Sequence, residues 1–397
     1  MTETGTHAAD ILTLFRRGPD LTRSQVISIT GLSRSTVNQR LASLLRIGLI
    51  APTEGGESTG GRPSTQFTFN GSRAVVLTAD IGASGFVAAI YNLAGEPLRY
   101  VDQVVDVWEG PTKVLAMVDR AFRDLHHGED LWGIGIGVPG PVEFAAGRVV
   151  NPPIMTGWDN YDIAGHLHAL YNTVVIVEKD ANARAVIESR QKNVDNLISL
   201  KLGTGIGSGL VFNGQIIRGD VGAAGDIGHT RVELTDDSAL LDCRCGNVGC
   251  VEAYAGGWAL ARDLNAQGIE TKSVSDVVEL VRTGNIEAVR LVRQAGRVIG
   301  DAVANLVSIL NPATVVVSGQ LAECDELLLS GIRERVYQRS LPLATRNLQI
   351  IRSSLGHLVG AAGLALITTD TLFAADFLDR LLSRPQQVSF SSGAASA

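Results

Sequence analysis

Gly228-His229 and, fourteen residues on, Cys243-Arg244-Cys245-Gly246-Asn247-Val248-Gly249-Cys250-Val251-Glu252 form the stretch whose reading decides the fold of this chain. Three of its four cysteines fall within these residues, with Gly246 and Gly249 between them. Thiolates and one imidazole are the ligand set of a closed tetrahedral zinc site. The glycines allow the backbone to turn tightly enough for Cys243, Cys245 and Cys250 to converge on one ion. The plain alternative is a set of unrelated buried thiols. The density of the cluster, with His229 upstream, favours one structural zinc per chain, held by His229, Cys243, Cys245 and Cys250.

At 397 residues the chain is long enough for two or three domains. A content of 45% hydrophobic and 19% charged residues fits a globular protein and excludes a disordered one. Only Cys324 remains outside the cluster, so no disulfide framework is expected, which points to a reducing cytoplasm. The start, MTETGTHAADILTLFRRG, lacks the basic end and apolar run of a signal peptide. The longest apolar run, residues 303–317, is interrupted by Asn311-Pro312 and is too short for a bilayer. A soluble protein with no membrane partner is therefore expected. Net charge is −7, yet residues 1–70 carry seven arginines against five acids. A weakly positive head on an acidic body hints at a polyanion at the N-terminus.

That head has the pattern of a DNA reader. His7 to Arg17 reads as an amphipathic helix stopped by Gly18-Pro19, and Thr22 as the cap of a second helix running to about Ile29. Gly31 makes a tight turn, and Ser33 caps a third helix from Arg34 to Ile47, with Val37, Leu41, Leu44 and Leu45 as its apolar stripe. Arg34, Ser35, Thr36, Asn38, Gln39 and Arg40 lie at the start of this helix, the part a helix-turn-helix inserts into the major groove. Asn and Gln pair with adenine there, and Arg with guanine. Leu49–Ala51 and Gln66–Phe69 read as the two strands of a wing. Arg62, pinned by Pro63 in the connection between them, suits a narrow minor groove. The competing reading is a helical bundle for protein contacts with a plain linker.

From Val75 onward apolar strands alternate with glycine turns and helices, the pattern of an α/β fold. Candidate phosphate-cradling turns contain Asp80 and Gly82, then Gly203, Thr204 and Gly205, and finally Gly319. Gly82–Gly85 and Gly203–Gly209 each lie between two strands, so neither is a dinucleotide fingerprint, which needs a following helix.

Taken together, Leu32-Ser33-Arg34-Ser35-Thr36-Val37, Ser58-Thr59-Gly60-Gly61-Arg62-Pro63, Gly137-Val138-Pro139-Gly140-Pro141, Gly203-Thr204-Gly205-Ile206-Gly207 and the Gly-His/cysteine stretch resemble the ROK family (repressors, open reading frames and sugar kinases), specifically its NagC/XylR-like regulators. The resemblance runs from Ala9 to about Ala375. It implies a winged helix-turn-helix at 1–72, then a two-lobed actin-like/hexokinase-like ATPase fold with a structural zinc site. The first lobe would span 73–178, completed by a C-terminal helix at about 355–375, and the second 179–354. Residues 383–397, rich in Ser, Ala and Gln, read as a disordered tail.

In family kinases the sugar is held by residues that map onto Asp180, Asp226, His229 and Glu252, with Asp180 as the general base. The segment Asn151–Asp159 matches a family segment near the cleft and adds Asn151 to the ligand-binding candidates. Trp158, in the same segment, is either lobe packing or a cleft wall. Three departures argue against phosphoryl transfer, leaving no catalytic residue and Asp180 as a vestigial base. Ala83-Ser84 stands where Gly-Thr is expected, Lys179 replaces an Asn, and Asp226 replaces a Glu. Ser318-Gly319-Gln320 also lacks the usual glycine pair. Lys179 either neutralises Glu178, Asp180 or Asp226, or selects an anionic ligand. The expected protein is a cytoplasmic repressor of sugar metabolism, a homodimer or tetramer on a palindromic double-stranded operator, with a sugar or sugar derivative as effector. The rivals are a sugar kinase with an appended DNA-binding domain and a regulator that needs no small ligand.

Overall fold

The computed structural model describes residues 7–53, 65–152, 155–233 and 240–383. It divides into two compact units, one made of Met1–Ala74, Asn92–Ala94 and Thr369–Ala397, the other of Val75–Tyr91 and Gly95–Thr368.

The first unit contains helices Ala8–Arg17, Arg23–Thr30 and Arg34–Arg46 and a three-stranded sheet in which Gln66–Phe69 lies between Leu21–Thr22 and Ile50–Thr53. Local chemistry sets the helix ends. Thr22 accepts from the Gln25 N–H at 3.2 Å while the Gln25 side chain accepts from the Thr22 N–H at 2.8 Å, a reciprocal capping box. Gly31 closes that helix at φ +67°, a left-handed conformation suited to glycine. Ser33 then accepts from the Thr36 N–H at 3.2 Å and starts the third helix. Val37, Leu41 and Leu44 are buried together with Ile11, Leu12, Phe15 and Val26, whereas Leu45 is only half-buried. This is a winged helix-turn-helix.

Within the expected C-terminal span of about 355–375 stands helix Val359–Leu372, and a second helix that the sequence reading did not include, Ala375–Ser383, follows it. The second belongs to the head unit. Arg46 Nη2 donates to the Leu382 carbonyl at 2.7 Å, Arg16 pairs with Asp370 at 2.9 Å, and Phe373 meets Phe69 edge-on with centroids 6.0 Å apart. Residues 384–397, expected to be a disordered tail, lie outside the described residues.

The larger unit is built on two five-stranded sheets of the same topology. In the first, the order is Val174–Lys179, Leu131–Val138, Val75–Ile81, Gly85–Asn92, Pro97–Val104. In the second it is Gln349–Arg352, Thr314–Ser318, Leu197–Leu202, Ile206–Phe212, Gln215–Ile216. Each sheet starts with a central strand, continues through a hairpin to the antiparallel edge, and then adds two parallel strands on the other side. Val75 to Ile81 is buried at every position, as a central strand covered on both faces requires. Helix Val359–Leu372 lies against the first sheet, where a Cβ on Gly135 would stand 3.1 Å from the Leu364 carbonyl oxygen. In the second half, helices Ile286–Leu310 and Glu326–Arg339 approach closely at Gly296, whose Cβ would fall 2.5 Å from the Leu328 carbonyl oxygen. No single helix among the described residues is long and apolar enough to cross a membrane.

Candidate functional site

In the head, Arg34, Ser35, Asn38 and Gln39 are exposed on one side of helix Arg34–Arg46. Thr36 is half-buried, with its hydroxyl 2.9 Å from the Ser33 hydroxyl. Arg40 is half-buried as well, so the open polar face is narrower than the sequence expectation. Arg34 and Asn38 line a shallow cavity together with Arg23 and Ser24 of the preceding helix. Arg62 lies outside the described residues.

In the larger unit His229, Cys243, Cys245 and Cys250 converge, their ligand atoms all within 4.8 Å of one another. Cys243 Sγ is 3.8 Å from His229 Nδ1, and Cys245 Sγ is 3.7 Å from Cys250 Sγ. A tetrahedron with metal–sulfur bonds of about 2.3 Å has edges of about 3.8 Å, so this donor set fits a tetrahedral metal ion. Burial pushes the thiol of Cys243 up, and burial with the neighbouring thiols takes Cys250 up to about 12. Burial acts the same way on Cys245, but the Asn247 N–H and the adjacent thiols outweigh it and bring Cys245 down. Gly246 and Gly249 adopt φ of +89° and +79°, the left-handed turns that wrap the loop around the cluster.

His229 and Cys245 of the cluster border a cavity of about 910 Å³. Asp80, Gly82, Asn151, Lys179, Asp180, Gly203, Thr204, Gly205, Asp226, His229, Glu252 and Gly319 all border it, so one cleft gathers every expected ligand and nucleotide-turn residue. Glu252, 5% exposed, accepts from the Ile206 N–H at 2.8 Å and from Trp258 Nε1 at 3.2 Å. It thereby joins the metal loop to the Gly203–Gly205 turn. A Cβ on Gly205 would lie 2.4 Å from Glu252 Oε2, and one on Gly319 would lie 2.3 Å from the Leu202 carbonyl oxygen. Asn151 is held in a left-handed turn at φ +45°, its N–H donating to Asp159 Oδ1 at 2.6 Å.

Three cations of the cleft each pair with one carboxylate. Lys179 Nζ pairs with Asp226 Oδ1 and donates to the Ala224 carbonyl at 3.3 Å. Glu178 points elsewhere, accepting from Arg218 Nε at 2.8 Å and Asn182 Nδ2 at 2.9 Å. Lys201 Nζ pairs with Asp180 Oδ2, and Arg184 Nη2 with Asp80 Oδ2 at 2.6 Å. Lys201 and Arg184 were missing from the sequence candidates. Their signals were a lysine inside the apolar strand Leu197–Leu202 and an arginine in the alanine-rich start of helix Asp180–Lys192. Trp158 is fully buried and donates from Nε1 to the Val107 carbonyl at 3.0 Å, so it is lobe packing and not a cleft wall. With Asp80, Asp180 and Asp226 each paired to a cation and Glu252 hydrogen-bonded, such a cleft can receive a polyhydroxylated ligand through hydrogen bonds.

Residues 76–371 match the ROK family, and residues 9–51 match a winged helix-turn-helix DNA-binding family. The chain is 28% identical over 374 residues to the xylose repressor of Caldicellulosiruptor bescii, covering 89% of this chain and 92% of that protein. A crystal structure of a ROK family transcriptional regulator, a homolog of the E. coli MLC protein, shares its fold at a TM-score of 0.79 and 23% identity, covering 95% of this chain and 98% of that one. A ROK family glucokinase from Streptomyces griseus, in complex with glucose and AMPPNP, matches at a TM-score of 0.64 and 27% identity over 75% of this chain and 99% of that one.

Proposed function

This chain belongs to the ROK family and carries a winged helix-turn-helix head, and on that premise we propose that it is a sequence-specific transcriptional repressor of sugar metabolism. Its effector is a sugar or sugar derivative bound in the cleft. One observation carries the reading: the same chain presents an exposed Arg34/Ser35/Asn38/Gln39 face and a 910 Å³ cleft bordered by Asp180, Asp226, His229 and Glu252. The similarity to the repressor relative extends over 89% of this chain. In this reading Arg34, Ser35, Asn38 and Gln39 touch base edges, with Thr36 and Arg40 supporting the helix start and Arg62 reaching the minor groove. Two heads of a cytoplasmic homodimer or tetramer engage a palindromic operator.

The metal is zinc, one per chain, held by His229 and the three thiolates, and when bound it supplies fixed geometry and no chemistry. His229 borders both the cluster and the cleft, and Glu252 ties the cluster to the Gly203–Gly205 turn. A sugar that favours one arrangement of the cleft by a few kcal/mol is sufficient to shift operator affinity.

The reading is tested with the full-length protein and a selected operator duplex, titrated with hexoses, hexosamines, pentoses, sugar phosphates and sugar acids in a fluorescence-anisotropy assay. A sugar that shifts operator affinity and raises thermal stability is the expected result. Failure of the whole panel in both readouts refutes an effector-gated repressor. A sugar-kinase reading draws on the Gly203–Gly205 turn and the glucokinase similarity. It requires ATP-dependent phosphorylation of one of the same sugars, lost in Asp180→Asn.

A further inference from the structure

The first glycine turn of the cleft carries its own cation. Asp80 sits at the first glycine turn, and Arg184 Nη2 donates to its Oδ2 at 2.6 Å. Both side chains are close to fully enclosed, at 11% exposure for Arg184 and 5% for Asp80. Arg184 lies on helix Asp180–Lys192 four residues after Asp180, the spacing of an ordinary pair on one helix face. It nevertheless serves an aspartate 104 residues away, while Asp180 is taken by Lys201.

Asp80 cannot turn away from this partner. A Cβ on Gly360 would lie 1.9 Å from its Oδ2, and one on Gly137 would lie 3.2 Å from its Oδ1, so backbone walls the carboxylate on both sides. Ala83 and Ser84 of the same turn, and Arg184 itself, border the open cavity.

A nucleoside triphosphate enters such a cleft as its magnesium complex. Magnesium requires near-octahedral oxygen ligands at about 2.1 Å, and it is bound through one or two carboxylates plus the phosphates. At Asp80 that position is filled by a guanidinium, whose positive charge repels the ion and whose bulk replaces its coordinated waters.

We infer that Arg184 is a specificity-determining residue, a built-in counter-ion that stands where a nucleotide's divalent cation would bind and keeps magnesium-nucleotide out of the cleft. His229, Glu252 and Asp226 border the same cleft and are not engaged by Arg184, which makes the cleft a receptor for one small ligand and not a two-substrate active site. The inference deepens the effector-pocket reading, but its own readout is nucleotide binding, which requires neither DNA nor sugar.

The experiment is calorimetric titration of the full-length protein with AMPPNP, with and without magnesium, for the wild type, Arg184→Lys and Arg184→Met. Wild type and Arg184→Lys, which retains the charge, should show no binding at millimolar nucleotide. Arg184→Met keeps an apolar stem of similar length and should gain magnesium-dependent binding by at least about tenfold, a change of about 1.4 kcal/mol. Magnesium-dependent binding by the wild type overturns the inference, whether or not the variants fold. So does metal-free binding by the wild type, because the guanidinium would then be a phosphate receptor. A folded Arg184→Met protein with no gain overturns it as well. Loss of operator binding or sugar response, with the nucleotide results as expected, would refute the repressor reading alone.

Discussion

Replacing Glu252 by glutamine tests the link between the cysteine cluster and the cleft. The carboxylate accepts two hydrogen bonds in a nearly enclosed position, from the Ile206 N–H at 2.8 Å and from Trp258 Nε1 at 3.2 Å. Glutamine is almost the same size but offers one acceptor and one amide group that only donates. One of the two buried donors must then face another donor, at a cost of about 1–3 kcal/mol for the unsatisfied group. The surviving bond loses its ionic character, which removes about 1 kcal/mol more. The sum, about 2–4 kcal/mol, corresponds to a fall in melting temperature of about 4–16 °C on the scaling for 150–250 residues, with the lower half expected for a unit this large. Differential scanning calorimetry of the two proteins, with metal content measured by elemental analysis, reads this directly. A melting temperature within about 1 °C of wild type would show that Glu252 does not order the Gly203–Gly205 turn. The effect of any stabilising sugar should fall in parallel, since a cleft acceptor is lost.

Asn38→Ala and Arg34→Ala should each weaken operator binding by about 5- to 150-fold, or about 1–3 kcal/mol, in an anisotropy titration. Both side chains are exposed, so the head should melt as in wild type; unchanged operator affinity would rule out base contacts. Cys245→Ser should lose stoichiometric zinc and the sugar response, and elemental analysis showing full metal together with intact induction would refute the zinc assignment. Burial works against ionisation of Glu129, but its hydrogen bond with Arg99 more than compensates and takes the carboxyl down to about 2. A depressed folded-state value contributes stability that is present above the normal carboxylate range and lost as pH falls toward 2. The pair is partly exposed, so Glu129→Gln should cost at most about 1 kcal/mol at pH 7 and nothing near pH 2, measured by denaturant titration at both. An equal loss at both pH values would mean that packing and not charge is responsible.

Much of the head was legible because its determinants are local. Thr22 and Ser33 cap the helices that follow them, and Gly31 turns left-handed, within three or four residues of the groups they satisfy. The cysteine cluster was legible for a related reason: a metal site needs particular donors on a tight loop, and donor type and spacing are both written in sequence. Helix Ala375–Ser383 was not legible as part of the head. It is nine residues long, and its Leu382 carbonyl is met by Arg46, 336 residues earlier in the chain.

The cleft marks the boundary most clearly. By itself the sequence determined which carboxylates, glycines and metal donors the protein carries and the order of strands and turns that present them. Which cation answers each carboxylate was decided only by the tertiary structure. Lys179 goes to Asp226, Lys201 to Asp180 and Arg184 to Asp80. These partners stand on separate strands and helices, and their distances are set by how those elements pack, while an ion pair depends on distance and burial and not on separation along the chain.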